Sequence, residues 1–475
     1  MRGSGRLTQN IALLYGAEVV GKLLGFAVFA YLSHVLAKTR YGDLEGALAF
    51  LFIFNLVIEA GLGPWGAREA SKDPGRAPLL LSQVFAVRGA LALVSAVALV
   101  AIALASDRDG VARTLVALHA LVLLPVPLLL NWAFQARDEM GVVALTNLGR
   151  QVLLAAGVYA FVRSSDDVLY VPVVDACGYG LCVLAQRIAY GRRVGRPVPL
   201  RALHGLRDVV RDASPIAVSS CVWALRLFAP TIALWLFTTS DEVAPYGAAH
   251  RIVVAAHTFV WLYFFALLPS LSRAAVDADT GAFRRVLGAS LTLIAWAAVA
   301  AATCGTLVAG ELTRRIYDPR IGEPAGALFA LMVWMLAAAF VSGHQRFGLI
   351  AYGKQRHELL ANLAGATVSV GACLVLRERL TPETAAAVFV AAEVVTLVAA
   401  HLLFVRVVHP LPLRPVLVPL AVAAALLGAA HVAALPPLVA TAGAAVLLAA
   451  LTPLVVRRPR QLLADLQSCV RPTGG

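Results

Sequence analysis

Fourteen apolar runs, at roughly 11–37, 43–64, 79–105, 111–135, 141–162, 168–190, 213–238, 243–269, 286–310, 324–352, 357–376, 382–405, 416–435 and 438–456, follow one another along the 475 residues, separated by short polar connections. Each run is close to the length of about 20 residues that a helix needs to cross a hydrocarbon core about 30 Å thick. The runs are continuous and do not alternate, so a barrel is not indicated, and helices satisfy the backbone without water. The chain is therefore predicted to be an all-α polytopic membrane protein with about 14 transmembrane helices. Its charged share of 14% is far below the ~25% of soluble domains.

The first run is too long for a signal-peptide core and has no A-x-A-like site after it, so it is expected to remain as the first span. None of the six cysteines forms a C-x-x-C pair or a zinc spacing, so no metal or cofactor is expected. The net charge of +13 lies in short loops and not in a separate domain, which argues against nucleic acid. Of 40 basic residues, 24 fall on the side of the N-terminus, 10 on the other side and six within spans. Positive loops stay inside, so both termini are expected to be cytoplasmic, in a multi-pass protein of the cytoplasmic (inner) membrane.

A shift of 205 residues carries Tyr41-Gly42 onto Tyr246-Gly247, Pro64 onto Pro269 and Arg68 onto Arg273. Paired bundles of this kind are common in transporters. The expected division is a six-helix lobe over 1–190, a basic cytoplasmic linker over 191–212, a second six-helix lobe over 213–408, and two further helices with a tail over 409–475. Pro64 and Pro269 are expected to break the second and eighth helices one turn before Arg68 and Arg273, forming hinges or static kinks. For the two arginines, the alternative is the positive-inside bias alone.

The six basic residues within spans are Lys22, Arg88, Arg150, Arg226, Arg251 and Arg346. Each costs about 2.5–3.5 kcal/mol at the centre of an inserted helix, and a shared hydrated cavity is the least expensive arrangement for them. Arg88 and Arg346 lie nearer the cytoplasmic ends and are expected to snorkel outward. In-span acids are Glu18, Glu59, Asp175 and Glu393. Glu18 precedes Lys22 by one turn, in the favourable order for a pair. That pair is either a neutralised ion pair that permits insertion or a cavity-lining pair in which Lys22 meets an anion and Glu18 exchanges protons. His250 and His257, seven residues apart beside Arg251, are too distant along the helix to share a metal. They are either buried hydrogen-bonded histidines or protonation sites.

There is no G-x-x-x-x-G-K-[ST], H-E-x-x-H or G-x-S-x-G, and no large outer loop to house an active site, so an enzyme is not expected. A row of cations in a membrane cavity suits an anionic substrate. The segments "LLLNWAFQARDEMGVVALTNLGRQVLL", "VAPYGAAHRIVVAAHTFVWLYFFALLPSLSRA" and "LIAYGKQRHELLANLAG" resemble, in order, parts of the Wzx-type oligosaccharide flippases. These are the polysaccharide-export branch of the superfamily that also holds lipid II flippases and multidrug extruders. The resemblance spans about residues 8 to 405.

It implies a V-shaped two-lobed bundle that opens a central cavity alternately to each membrane face. The substrate it implies is an undecaprenyl-pyrophosphate-linked oligosaccharide, with membrane lipids, a polysaccharide polymerase and a chain-length regulator as candidate partners. The pyrophosphate is then expected at Lys22, Arg226, Arg251, Arg150 and Arg88. Ion or proton coupling is expected at Glu18, Glu59, His250 and Asp175, and gating at Pro64, Arg68, Pro269 and Arg273. The alternatives are an ion-coupled small-molecule exporter of the same fold, which would favour an acidic cavity, and a membrane polymerase or ligase, which would need a substantial outer loop.

Overall fold

A computed structural model describes residues 2–194, 205–276, 280–408 and 414–455. Among these residues the chain is helical, with no strand. Twelve stretches are long and apolar enough to cross a membrane, and two shorter apolar helices, Val19–Val35 and Pro437–Pro453, join them. Twelve and two make the fourteen read from the sequence. The chain divides into two compact units, 1–244 and 245–475.

The first unit holds α1 (Arg2–Val35), α2 (Lys38–Glu59), α3 (Leu62–Lys72), α4 (Ala77–Ala105), α5 (Gly110–Leu118), α6 (Ala120–Leu123), α7 (Asn131–Gln135), α8 (Met140–Phe161), α9 (Tyr170–Arg193) and α10 (Leu206–Phe237). α1 lies on α8 and α8 on α9. Tyr31 Oη ties α1 to the Val162 carbonyl at 2.8 Å, and the Tyr31 and Tyr159 rings sit 4.3 Å apart.

α10 runs antiparallel along α2. Trp235 packs against Phe50, Phe228 stacks on Phe52 at 4.2 Å, and Ala213 faces Gly61. The close approach is made by Gly42 and Gly46, where a Cβ would overlap the Ser240 carbonyl and the Trp235 indole. This is the small-xxx-small pattern that lets two backbones meet where lipid tails give little drive for association. Packing thus groups α10 with the first unit, and its expected place at the head of a second lobe over 213–408 stays an organisational proposal. Of the basic linker expected over 191–212, residues 195–204 lie outside the described residues.

The second unit carries α11 (Ser240–Val276, its first turn in the first unit), α12 (Thr280–Ile316), α13 (Pro319–Met332), α14 (Trp334–Ala351), α15 (Gln355–Val375), α16 (Pro382–Val407), α17 (Arg414–Val432) and α18 (Pro437–Val455). The appended pair α17 and α18 docks on α12. Trp296 and Leu448 are buried together there, and Trp296 Nε1 donates to Thr452 Oγ1 at 2.9 Å.

The expected proline breaks are corrected. The second span does break, but at Ala60 (φ 45) and Gly61 (φ 67), both left-handed. Pro64 sits in the first turn of α3, where a missing N–H costs nothing. α11 continues through Pro269 without interruption, the ring displacing one bond of a long helix and not the helix itself. A break unforeseen in the sequence lies instead within the fourth apolar run, 111–135. Between α6 and α7 the backbone unwinds at Pro125, Pro127 and Leu129, the last in an extended conformation.

Candidate functional site

The helix pairs of the first unit bring charged side chains to one depth. Gly21 of α1 lies against Gln151 of α8, where a Cβ would stand 3.5 Å from Gln151 Cγ. Lys22 and Arg150, each one residue away from that contact, therefore share a layer. Lys22 is exposed. Arg150 Nη1 donates to Asp175 Oδ1 of α9 at 2.9 Å, and its guanidinium lies over the Tyr179 ring, 4.2 Å from the centroid. Gly178 keeps the space that the Arg150 stem fills, a Cβ there standing 3.2 Å from Arg150 Cγ. The Glu18 side chain lies outside the described residues, so the expected pair with Lys22 stays a sequence reading.

Below this layer, α8 and α9 are joined by a ladder of polar contacts. Cys182 Sγ reaches Asn147 Oδ1 at 3.8 Å, and Gln186 Nε2 donates to Thr146 Oγ1 at 3.1 Å and to Asn131 Oδ1 at 2.8 Å. Arg193 Nη1 closes the ladder on Glu139 Oε2 at 2.8 Å. Gln186 is fully buried and accepts the Leu130 N–H at 2.8 Å, so it stitches the unwound stretch before α7. A backbone donor released at that depth must find such a partner. Sequence reasoning missed Gln186, Asn131, Thr146 and Tyr179 because an uncharged amide, hydroxyl or phenol in an apolar run carries a smaller insertion cost than an in-span charge and leaves a weaker signal. The signal available was a Gln within the apolar run "CGYGLCVLAQRIAY".

Arg88 does not snorkel. Its side chain is 3% exposed and Arg88 Nη2 is ion-paired with Glu59 of α2. The helix has no reason to carry an unneutralised charge at that position, and the pair removes it. Arg346 is likewise buried in the second unit. It donates to Glu358 Oε1 at 2.8 Å, which also accepts from Asn362 at 2.5 Å. So Arg88 and Arg150, two of the five expected anion-binding cations, each have a carboxylate of their own. Arg226 on α10 is almost fully buried, and Lys22 belongs to the layer above.

In the second unit Arg251 is half-buried. His250 is buried, its ring stacked on Tyr246 at 5.7 Å and edge-on to Phe389 at 5.2 Å. Buried Glu393 accepts from Ser342 Oγ at 2.7 Å. Arg68 is exposed and donates to Glu69 at 3.1 Å. Arg273 is exposed and reaches Ser270 Oγ at 3.3 Å.

On the outer side as read from the loop charges, Arg40 of α2 grips Asp109 through two contacts, at 3.0 and 2.7 Å. Arg108 donates to the Trp235 carbonyl at 2.9 Å, the Thr238 carbonyl at 2.7 Å and Ser240 Oγ at 2.8 Å. Ser240 in turn donates to Asp43. A cation at the end of α10 satisfies carbonyls that the helix leaves open. The Arg40 guanidinium holds the Asp109 carboxyl below the usual carboxylate range, while burial lowers the pKa of Arg108.

A family profile described as "Polysaccharide biosynthesis protein" matches residues 7–275. In fold, the chain is similar to a lipid II flippase in an inward closed conformation, with TM-score 0.71 and 11% identity, covering 96% of this chain and 100% of that one. It is also similar to an inward-facing multidrug resistance transporter, with TM-score 0.64 and 14% identity, covering 81% of this chain and 93% of that one. A transporter of the same superfamily from Pyrococcus furiosus, described as having a binding pocket of reversed polarity, gives TM-score 0.57 and 14% identity, covering 86% and 97%. Comparison with curated protein sequences returned no match. Likeness at these identities establishes a common fold, that of membrane flippases and exporters.

Proposed function

The chain belongs to the polysaccharide biosynthesis protein family, as a membrane transporter of the flippase fold, and from that premise we propose that it carries polyprenyl-pyrophosphate-linked oligosaccharide units across the cytoplasmic membrane. The single observation that carries this reading is the shared layer of Lys22 and Arg150 on adjacent helices α1 and α8. Lys22 supplies a point charge at the depth of the Arg150–Asp175 pair, whose guanidinium makes one bond to its carboxylate and keeps further N–H donors for a pyrophosphate, while a polyprenyl tail stays in lipid. Within the first unit Arg226 is assigned to the anion path and Asp175 and Glu59 to coupling; in the second unit Arg251 and His250 are the corresponding candidates for those two roles. Membership of this family and the positive-inside pattern support cytoplasmic termini and a place beside a polysaccharide polymerase.

The test is translocation of a fluorescent polyprenyl-pyrophosphate oligosaccharide in proteoliposomes. Lys22→Gln removes a charge-assisted contact worth about 1.5–3 kcal/mol, which corresponds to a loss of about tenfold or more in transport. Undiminished transport by a normally folded variant would remove Lys22 from the site. Preferential transport of organic cations by the wild type would replace the reading with that of a small-molecule exporter.

A further inference from the structure

We propose that the seam between α2 and α10 around Phe52, Asn55 and Trp223 is a subsite for one pyranose ring of the substrate's oligosaccharide. This rests on the lipid-linked oligosaccharide reading above and adds to it where the sugar is held.

The register of the two helices places the seam. Along the antiparallel pair Gly46 lies against Trp235, Phe52 against Phe228 and Gly61 against Ile216. Asn55 therefore comes level with Trp223, and Glu59 with Ser219. The level of Asn55 and Trp223 falls near the middle of Lys38–Lys72 and Leu206–Phe237, two stretches long and apolar enough to cross a bilayer.

Side chains near this depth are both polar and accessible, a combination that lipid contact penalises. Asn55, Ser219 and Ser220 are part-exposed and make no hydrogen bond among the described residues. The hydroxyls of Thr146 and Thr303, also within spans, fold back on the carbonyl one turn earlier. An amide without a partner is costly in hydrocarbon, so this seam meets water or the hydrogen-bonding groups of a ligand.

The aromatic rings beside these groups make the ligand a sugar. Phe52 stacks on Phe228 with centroids 4.2 Å apart, and Trp223 is tilted across Phe52 at 6.0 Å. Trp223 stays part-exposed between buried Val222 and Ala224, so packing leaves some of the indole available. A pyranose has a face of C–H groups and a rim of hydroxyls. The C–H face carries partial positive charge and suits the negative face of an indole. The rim is served by an amide that donates and accepts and by two serine hydroxyls. An apolar platform with a few placed polar groups is the make-up of a small-molecule site. An organic cation fits less well, because Glu59, two turns beyond Phe52 on the same face of α2, has its charge met by Arg88 and is not left as a counter-charge.

The experiment is calorimetric titration of the full-length protein in lipid nanodiscs, free of sugar-based detergent. Four probes are compared: farnesyl pyrophosphate, and the same lipid carrying a disaccharide of glucose, of galactose or of N-acetylglucosamine. The wild type is expected to bind at least one glycosylated probe about tenfold more tightly than farnesyl pyrophosphate. Trp223→Leu should lose that advantage while the sugarless probe binds as before, and Trp223→Phe, which keeps a ring, should recover most of it. Asn55→Leu, on the other helix, should lose about three- to tenfold for the glycosylated probe alone, and it carries the test should Trp223→Leu not fold. Equal weakening of both kinds of probe would make Trp223 and Asn55 structural and overturn the subsite. So would a wild type that gains nothing from any of the three sugars, with binding of farnesyl pyrophosphate leaving the anion reading intact. No binding of any probe overturns both.

Discussion

Gly63 stands so close to Glu59 that a Cβ on it would overlap Glu59 Oε1 and lie 3.3 Å from Arg88 Nη2. The missing side chain is thus the space in which an ion pair between α2 and α4 is made. Gly63→Ala is expected to push the Glu59 carboxylate aside and leave the buried guanidinium of Arg88 short of its counter-charge. Breaking a buried pair costs about 3–5 kcal/mol, and the partial exposure of Glu59 brings the expected loss down to about 1–3 kcal/mol. Thermal unfolding in detergent should show Gly63→Ala and Glu59→Gln destabilised alike, and the double variant no worse than either. Fully additive losses would mean that the glycine serves another contact.

How much of this was readable from the sequence depends on which signal a feature leaves. The helix count was legible because a bilayer imposes one length on every apolar run. Charged residues within spans were legible as costs, but their partners were not. Glu59 and Arg88 are 29 residues apart, and Asp175 and Arg150 are 25 apart, so only tertiary packing brings them together. Arg88 and Arg346 read as snorkelling cations because their positions near span ends were visible and their carboxylates were not. The Ala60–Gly61 break was hidden behind the stronger signal of Pro64, which proved to occupy a position where proline is harmless. Gly42 and Gly46 form a small-xxx-small pattern in the sequence, but the helix it receives, α10, meets Gly46 at Trp235, about 190 residues on, and is identified only by packing.

The Arg40–Asp109 contact makes the outer end of the first unit acid-sensitive. Because Arg40 holds the Asp109 carboxyl below its usual range, the folded state binds that proton less readily than the unfolded chain does. The stability contributed is then fully present above the ordinary carboxylate pKa, about 3.9, and is lost as pH falls through the lowered folded value. Melting curves between neutral and strongly acid pH should steepen in their decline below about pH 4. Asp109→Asn should flatten that part of the profile and leave neutral-pH transport in place. An unchanged acid limb would show that Asp109 is not the group lost.

Gly46 tests the approach of α2 to α10. A methyl there would collide with the Trp235 indole, and overpacking of this kind costs about 1–3 kcal/mol. Gly46→Ala is expected to lower the unfolding midpoint, and Trp235→Leu, which removes the obstructing ring, should recover part of that loss in the double variant. A Gly46→Ala protein as stable as the wild type would show that the two helices separate at little cost.

Gln186 carries the most compact prediction, because one side chain serves three polar groups at once. Its Oε1 accepts the Leu130 N–H at 2.8 Å and its Nε2 donates to Asn131 and Thr146. Gln186→Leu keeps the volume and removes both functions, leaving a buried backbone donor unsatisfied at a cost of about 1–3 kcal/mol. Gln186→Glu keeps the acceptor for Leu130 and loses the donors, so it separates the two roles. If stitching the break before α7 is what matters, amide exchange at Leu130 should accelerate in Gln186→Leu and stay slow in Gln186→Glu. If the link to α8 matters more, both variants should loosen the α8–α9 ladder, and exchange around Thr146 and Asn147 should rise in each. Protection unchanged at Leu130 in Gln186→Leu would show that the unwound backbone is held by its neighbours without this amide.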